Sequence, residues 1–226
     1  MNMEPKICES RSRMKPYYRD EKANITIYHG DCNEILPELE PVDLVVTDPP
    51  YGMNWLSGRI RRKEAWGKIK GDKALPVETI LAAIEKAKNA AFVFCRWDNF
   101  GQLPEPKSVI VWAKNHWTLG DLEHEYGRMW EACLFYPKEG HRFIKRPHDV
   151  IQCAKTGNKH HPTEKPVQLI GEILEANVGE SVLDPFVGSG TTLLAAKELK
   201  RGAIGIEIEE RYCETAANRL RTQFLF

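Results

Sequence analysis

"SVLDPFVGSGTT", residues 181–192, is the stretch on which the reading of the fold turns. Its first half is an apolar strand, Gly188 and Gly190 make a tight turn, and the threonines open a helix. A strand running through a glycine turn into a helix brings free backbone N–H groups to one point, the usual cradle for part of a nucleotide. Glu207, seventeen residues beyond Gly190, closes the next strand in "GIEIEE", where a carboxylate can accept both hydroxyls of a ribose. The pattern departs from the dinucleotide fingerprint, because no third glycine enters the helix and an acid, Asp184, precedes the turn. A carboxylate there would repel a pyrophosphate, but it suits a ligand carrying an ammonium and a sulfonium, such as S-adenosylmethionine.

Outward from this unit, strands and helices alternate, which predicts an α/β sandwich around a largely parallel sheet. "NITIYHGD" (24–31) is a short strand, and "VDLVVTD" (42–48) is apolar on both faces, as expected of a central strand covered on either side. "VETILAAIEKAKNA" (77–90) places Val77, Ile80, Leu81, Ile84 and Ala87 on one helical face. "AAFVFCRW", "SVIVWAK" and "EACLFYP" read as three further strands. "KPVQLIGEILEANV" is a helix opened by Pro166, "TTLLAAKELK" one closed by Gly202, and a last helix aligns Tyr212, Ala216 and Leu220. Residues 54–75 and 137–162 fit neither period. Both are basic: seven Lys/Arg against two acids in the first, six against two in the second. They suit phosphate contacts if they flank the site.

The 48–51 stretch, "DPPY", follows the central strand. Two prolines stiffen the turn, so Asp48 and the Pro49 carbonyl can face one point as acceptors, with Tyr51 as a flat face beside them. That pairing would grip the hydrogens of an aromatic exocyclic amine. Its lone pair is conjugated into the ring, and fixed acceptors stabilise the positive charge that develops as it attacks.

Composition narrows the class. The formal net charge is zero with 28% charged residues, which argues for an ordinary folded protein and withholds the overall basic signature of many nucleic-acid binders. The six cysteines show no metal or disulfide spacing and read as small core residues. His160 and His161 are not required as metal ligands. No apolar run approaches about 18 residues and no signal-like start is visible, so a cytoplasmic protein is expected, organised as one domain over 1–226.

"DPPY", "HPTEKP" (161–166) and "DPFVGSGTT", in that order, resemble the permuted, beta-class group of amino-methylating DNA methyltransferases that act on adenine N6 or cytosine N4. The likeness spans about residues 24–220. It implies a three-layer αβα fold whose seven-stranded, mostly parallel sheet has one reversed strand, with "EACLFYP" the candidate for reversal. It also implies a catalytic loop of Asp48, Pro49, Pro50 and Tyr51, with Tyr51 stacking on the target base. Asp184, Phe186, Gly188, Gly190, Thr191 and Glu207 would hold S-adenosylmethionine, Asp31 would cap its adenine edge, and Lys165 would cover its methionine end. An Asp at the head of the loop favours adenine over cytosine within the resemblance.

Double-stranded DNA is the implied partner, with the target nucleotide turned out of the stack. Arg59, Arg61, Arg62, Lys63, Arg142, Lys145 and Arg146 are the candidate phosphate contacts, and Trp55 and Trp66 candidate wedges. The short space for target recognition predicts a relaxed sequence preference or a homodimer. Competing readings are a cytosine-N4 enzyme, an enzyme acting on RNA or protein amides, and a non-catalytic nucleic-acid-binding subunit. The last should have lost a loop residue or a glycine, and none is missing.

Overall fold

A computed structural model describes residues 14–53, 72–118, 123–124, 126–157, 160–161 and 163–222. Arg59, Arg61, Arg62, Lys63, Trp55 and Trp66 lie outside the described residues.

In chain order the elements are β1 (Tyr18–Asp20), β2 (Ile25–His29), α1 (Cys32–Ile35), β3 (Val42–Thr47), α2 (Val77–Glu85), β4 (Ala87–Cys95), β5 (Ser108–Thr118), β6 (Arg128–Pro137), β7 (Val150–Gln152), α3 (Val167–Ala176), β8 (Ser181–Asp184), α4 (Thr191–Glu198), β9 (Gly202–Glu207) and α5 (Glu210–Thr222). The described strands form one sheet in the order β1-β2-β9-β8-β3-β4-β6-β5-β7. The seven inner strands are those expected, and "EACLFYP" lies in the reversed one: β6 runs antiparallel to both β4 and β5. Two three-residue edge strands extend the sheet, β1 antiparallel to β2 and β7 parallel to β5.

The doubly apolar reading of the central strands is explained by the layers. Leu44 and Val46 of β3, with Phe92 and Phe94 of β4, pack under α3, α4 and α5. Val42 and Val45, with Val93 and Cys95, face α1 and α2 on the other side. Phe92 stacks on Phe135 of β6 at 5.1 Å between ring centres, tying the reversed strand into the core. The five described cysteines are free and buried, as their core reading predicts.

Two boundaries differ from the sequence pattern. The helix read from 77 ends at Glu85, because Ala87 pairs with Val42 in the sheet and the helix-forming "AKNA" is taken up by β4. Leu81 lies at the edge of the buried face and is exposed, while Thr79 is buried and donates to Asn33 at 2.5 Å. Helix α4 is closed not by Gly202 but by Lys200 in the left-handed region (φ 57°); Gly202 already belongs to β9.

The topology opens a crevice. From β8 the chain crosses by α4 to β9 on one face, and from β3 by α2 to β4 on the other. β3 and β8 are adjacent and parallel, so the connections diverge above their carboxyl ends, where ligands of such sheets bind.

Candidate active site

Asp48 follows β3 and Asp184 ends β8, so the two motifs read from sequence meet at this switch point. A cavity of about 290 Å³ is lined from one side by Asp48, Pro49, Pro50 and Tyr51, and from the other by Asp184, Phe186, Gly188, Thr191 and Glu207.

On the glycine side, Asp184 is buried and accepts from the Phe186 N–H (3.0 Å) and the Thr192 hydroxyl (2.6 Å). Burial pushes its carboxyl up to about 7 despite these donors. Glu207 accepts from the N–H groups of Gly188 (2.9 Å) and Glu209 (2.8 Å), and burial likewise pushes it up to about 7. Gly188 (φ 50°) faces the His161 ring, and a Cβ there would come within 3.7 Å of it. His161 lies edge-on to Tyr212 at 4.5 Å, and burial lowers its pKa to about 4, so a neutral imidazole roofs this side. The roof is fastened by Glu164, which pairs with Arg219 of α5 at 3.0 Å, while Arg219 also donates to the Ser189 carbonyl at 2.8 Å.

Gly190 does not line the cavity. It stands at the start of α4 with φ 86°, and a Cβ there would sit 2.8 Å from the Cβ of Ala216, so its smallness lets α5 approach the turn. Gly190→Ala should destabilise the fold by about 1–3 kcal/mol, from strain and the clash together, checked by thermal or denaturant unfolding. Unchanged stability would mean that α5 is not held against this turn.

On the loop side, the Tyr51 hydroxyl donates to one oxygen of Asp48 at 2.6 Å, and the Lys165 ammonium donates to the other at 2.5 Å. Asn99 donates to the Tyr51 carbonyl at 3.1 Å, and the Gly52 and Met53 N–H groups donate to Asp72 at 2.8 and 3.1 Å, fixing the loop from two further segments. Lys165 continues inward to Glu131 of β6 at 3.1 Å, and Glu131 is in turn paired with Lys114 of β5. Burial alone would depress the Lys165 ammonium, but Asp48 and Glu131 outweigh it and hold it above its ordinary value. Burial would likewise raise Glu131, yet Lys165 and Lys114 keep it below the usual glutamate range. For Asp48 burial wins over Lys165, and its carboxyl is raised.

The candidate residues thus separate. Asp31 lines the cavity and caps the one-turn α1, accepting from Asn33 N–H at 2.8 Å. Lys165, expected to cover the methionine end of the cofactor, also lines it, and its ammonium is taken up by the Asp48 and Glu131 carboxylates. Arg142, Lys145 and Arg146 do not flank the site. They are exposed in a segment pinned where Ile144 N–H donates to the Ala176 carbonyl and Phe143 bridges Asn177, at the far end of α3 from Lys165. Ten residues of helix separate the two ends, about 15 Å. Glu131, Lys114, Glu164, Arg219 and Asn99 were not legible as site residues, although "HPTEKP" contained the Glu164 signal. No group of His, Cys, Asp and Glu among the described residues could hold a metal ion. No helix among them is long and apolar enough to cross a membrane.

A carboxylate loop and a nucleoside-type cradle opening into one cavity, on a sheet whose β6 runs against both of its neighbours, define an α/β methyltransferase. A family model described as DNA methylase, covering the N6/N4 methyltransferases, matches residues 42–218, and the chain belongs to that family. It is 27% identical to the type II methyltransferase M.ScaI of Streptomyces caespitosus, over 92% of this chain and 84% of that one. It is 29% identical to the DNA adenine methyltransferase YhdJ of Escherichia coli K12, over 86% and 82%. Among solved structures, the M1.HpyAVI–SAM complex superposes with a TM-score of 0.66 at 27% identity, covering 87% of this chain and 99% of that one. The cytosine-N4-specific PvuII DNA methyltransferase, at 18% identity, shares the fold with a TM-score of 0.69 over 95% and 92%.

Proposed function

We propose that this chain transfers a methyl group from S-adenosylmethionine to the exocyclic N6 of an adenine everted from duplex DNA. The observation that carries the reading is the shared cavity, in which Asp48 and Tyr51 face Asp184, Gly188 and Glu207. The residues fit the cofactor. Gly188 leaves the wall beneath His161 without a side chain, and Tyr212 lines the cavity with its hydroxyl buried and without a hydrogen-bond partner among the described residues. Glu207 would hold the ribose hydroxyls, Asp31 the adenine edge, and Asp184 the positively charged end. S-adenosylmethionine supplies an electrophilic methyl on a sulfonium.

The protein's part is position and charge. Asp48, oriented by Lys165 and Tyr51, accepts from the target amine and stabilises the positive charge that develops on it. A carboxylate offers about four lone-pair sites, so both existing donors leave room for the amine. Holding amine and methyl carbon in one cavity supplies much of the remaining acceleration.

Adenine is favoured by the Asp at the head of the loop and by the likeness to a DNA adenine methyltransferase. Incubation with tritiated cofactor and duplex DNA, RNA or protein, followed by nucleoside mass spectrometry, tests the reading. Label in DNA as N6-methyladenine is expected. Label as N4-methylcytosine would move the assignment to the other amine, and label only in RNA or protein would remove DNA as substrate.

Glu207→Ala should weaken cofactor binding by roughly 10- to 100-fold, the worth of hydrogen bonds to a charged acceptor, with little loss of turnover at saturation. Hydroxyl donors favour the carboxylate form. Since burial, against the backbone donors, pushes Glu207 up to about 7, affinity in the parent should rise with pH up to about 7 and then level. The variant should lose most of that slope in calorimetric titrations from pH 5.5 to 8. An unchanged dissociation constant would take Glu207 off the ribose.

A further inference from the structure

Four buried or half-buried charges alternate in a line from the sheet to the catalytic loop: Lys114, Glu131, Lys165 and Asp48. Their side chains are 4%, 26%, 6% and 23% exposed, so the two cations are the deepest members. Glu131 and Lys114 do not line the cavity. As a device for stability alone the inner pair is a poor choice, since apolar side chains of similar volume would hold two strands at least as well. Its distinguishing property is continuity with Asp48.

We propose that Glu131, seated by Lys114, is a positioning residue of the transfer reaction: it holds the Lys165 ammonium between two carboxylates, so that Asp48 stays oriented with lone pairs left for the target amine. The proposal rests on the methyl-transfer reading above. Without Glu131, Lys165 would have a single counter-ion and collapse onto Asp48, competing with the amine for the same oxygens. Without Lys114, Glu131 would draw Lys165 the other way.

The groups facing Asp48 are Tyr51 in its own loop, Lys165 ahead of α3, Glu131 and Cys133 on β6, Cys95 on β4 and Asp184 on β8. Burial raises both thiols, Cys95 to about 12 and Cys133 well up, so they are neutral at working pH. Charge changes at Asp48 therefore come from Lys165, Glu131 and Asp184.

The test is a pair of variants with opposite expected signs. In Glu131→Gln the removal of an anion should move the acid limb of the kcat profile to lower pH and lower kcat about tenfold. Dissociation constants for cofactor and duplex DNA should stay within about twofold of the parent. In Lys114→Met the loss of a cation should move the limb to higher pH. The same two displacements should appear in the ¹³Cγ titration of Asp48 in cofactor-free protein, which requires no catalysis. A purely structural pair would lower the unfolding temperature and leave both titrations in place, and that result overturns the proposal. If Glu131→Gln does not fold, an unmoved Asp48 titration in Lys114→Met overturns it alone. If the parent labels no DNA, the functional reading fails, while the Asp48 titration still decides whether the charge line acts on this carboxylate.

Discussion

Asp48→Ala will bind S-adenosylmethionine nearly as the parent does and turn over at least about a hundredfold more slowly, the loss typical when one preorganised group aimed at developing charge is removed. The separation of effects follows from geometry. Asp48 sits on the β3 side of the cavity, whereas the groups assigned to the cofactor stand on β8, the glycine turn, β9 and the start of α1. The substitution also leaves Lys165 with Glu131 as its remaining carboxylate, so some stability will be lost. Asp48→Asn controls for part of this: it keeps the shape and a carbonyl acceptor for Tyr51, and removes the charge together with the oxygen that accepts from Lys165. Both variants should fall together in kcat while cofactor calorimetry stays near the parent. Full activity in folded Asp48→Asn would refute the role of the charge.

Lys165→Met carries the second large effect, and it acts on activity and stability in opposite senses as pH changes. Asp48 and Glu131 would then share a buried site with no cation between them, and two such carboxylates cannot both ionise readily. Asp48 is already raised by burial with Lys165 opposing that rise, so it should be the one to take the proton, and to keep it further toward neutral pH than in the parent. Turnover there should drop on the order of a hundredfold and recover in part as pH rises and the carboxyl ionises. Stability runs the other way. A carboxyl whose folded pKa lies above its unfolded value binds more protons in the native state between the two, so stability is lost as pH climbs through that window. Removing one member of a buried pair costs about 3–5 kcal/mol. A pH–kcat profile beside a pH series of unfolding midpoints checks both signs. A profile unchanged from the parent would detach Lys165 from the role proposed for the Asp48 carboxylate.

Much of the fold was legible because its signals are local. The β3 and β4 runs are apolar on both faces since helices cover both, and α5 shows Tyr212, Ala216 and Leu220 at helical spacing since one face alone is buried. Where the reading slipped, a distant partner had overruled local preference. Ala87 was drawn out of a helix by Val42, and the basic segment at 142–146 was drawn to the far end of α3 by Ala176 and Asn177. Composition showed that this segment is positively charged, but its location depended on which backbone groups it bonds.

The sequence by itself determined the three motifs, their order, the alternation of strands and helices, and so the family and the chemistry proposed for Asp48, Asp184 and Glu207. Each depends on residues a few positions apart, whose mutual geometry the backbone dictates. Only the tertiary structure decided that Lys165 belongs to the Asp48 carboxylate, that Gly190 serves the contact with Ala216, and that Lys114 and Glu131 stand behind the loop. A lone lysine in "VWAK" or a lone glutamate in "WEAC" reads as a solvent-facing charge. The antiparallel register that sets Trp112 opposite Glu131 turns them inward toward one another, and register between strands is a property of the assembled sheet.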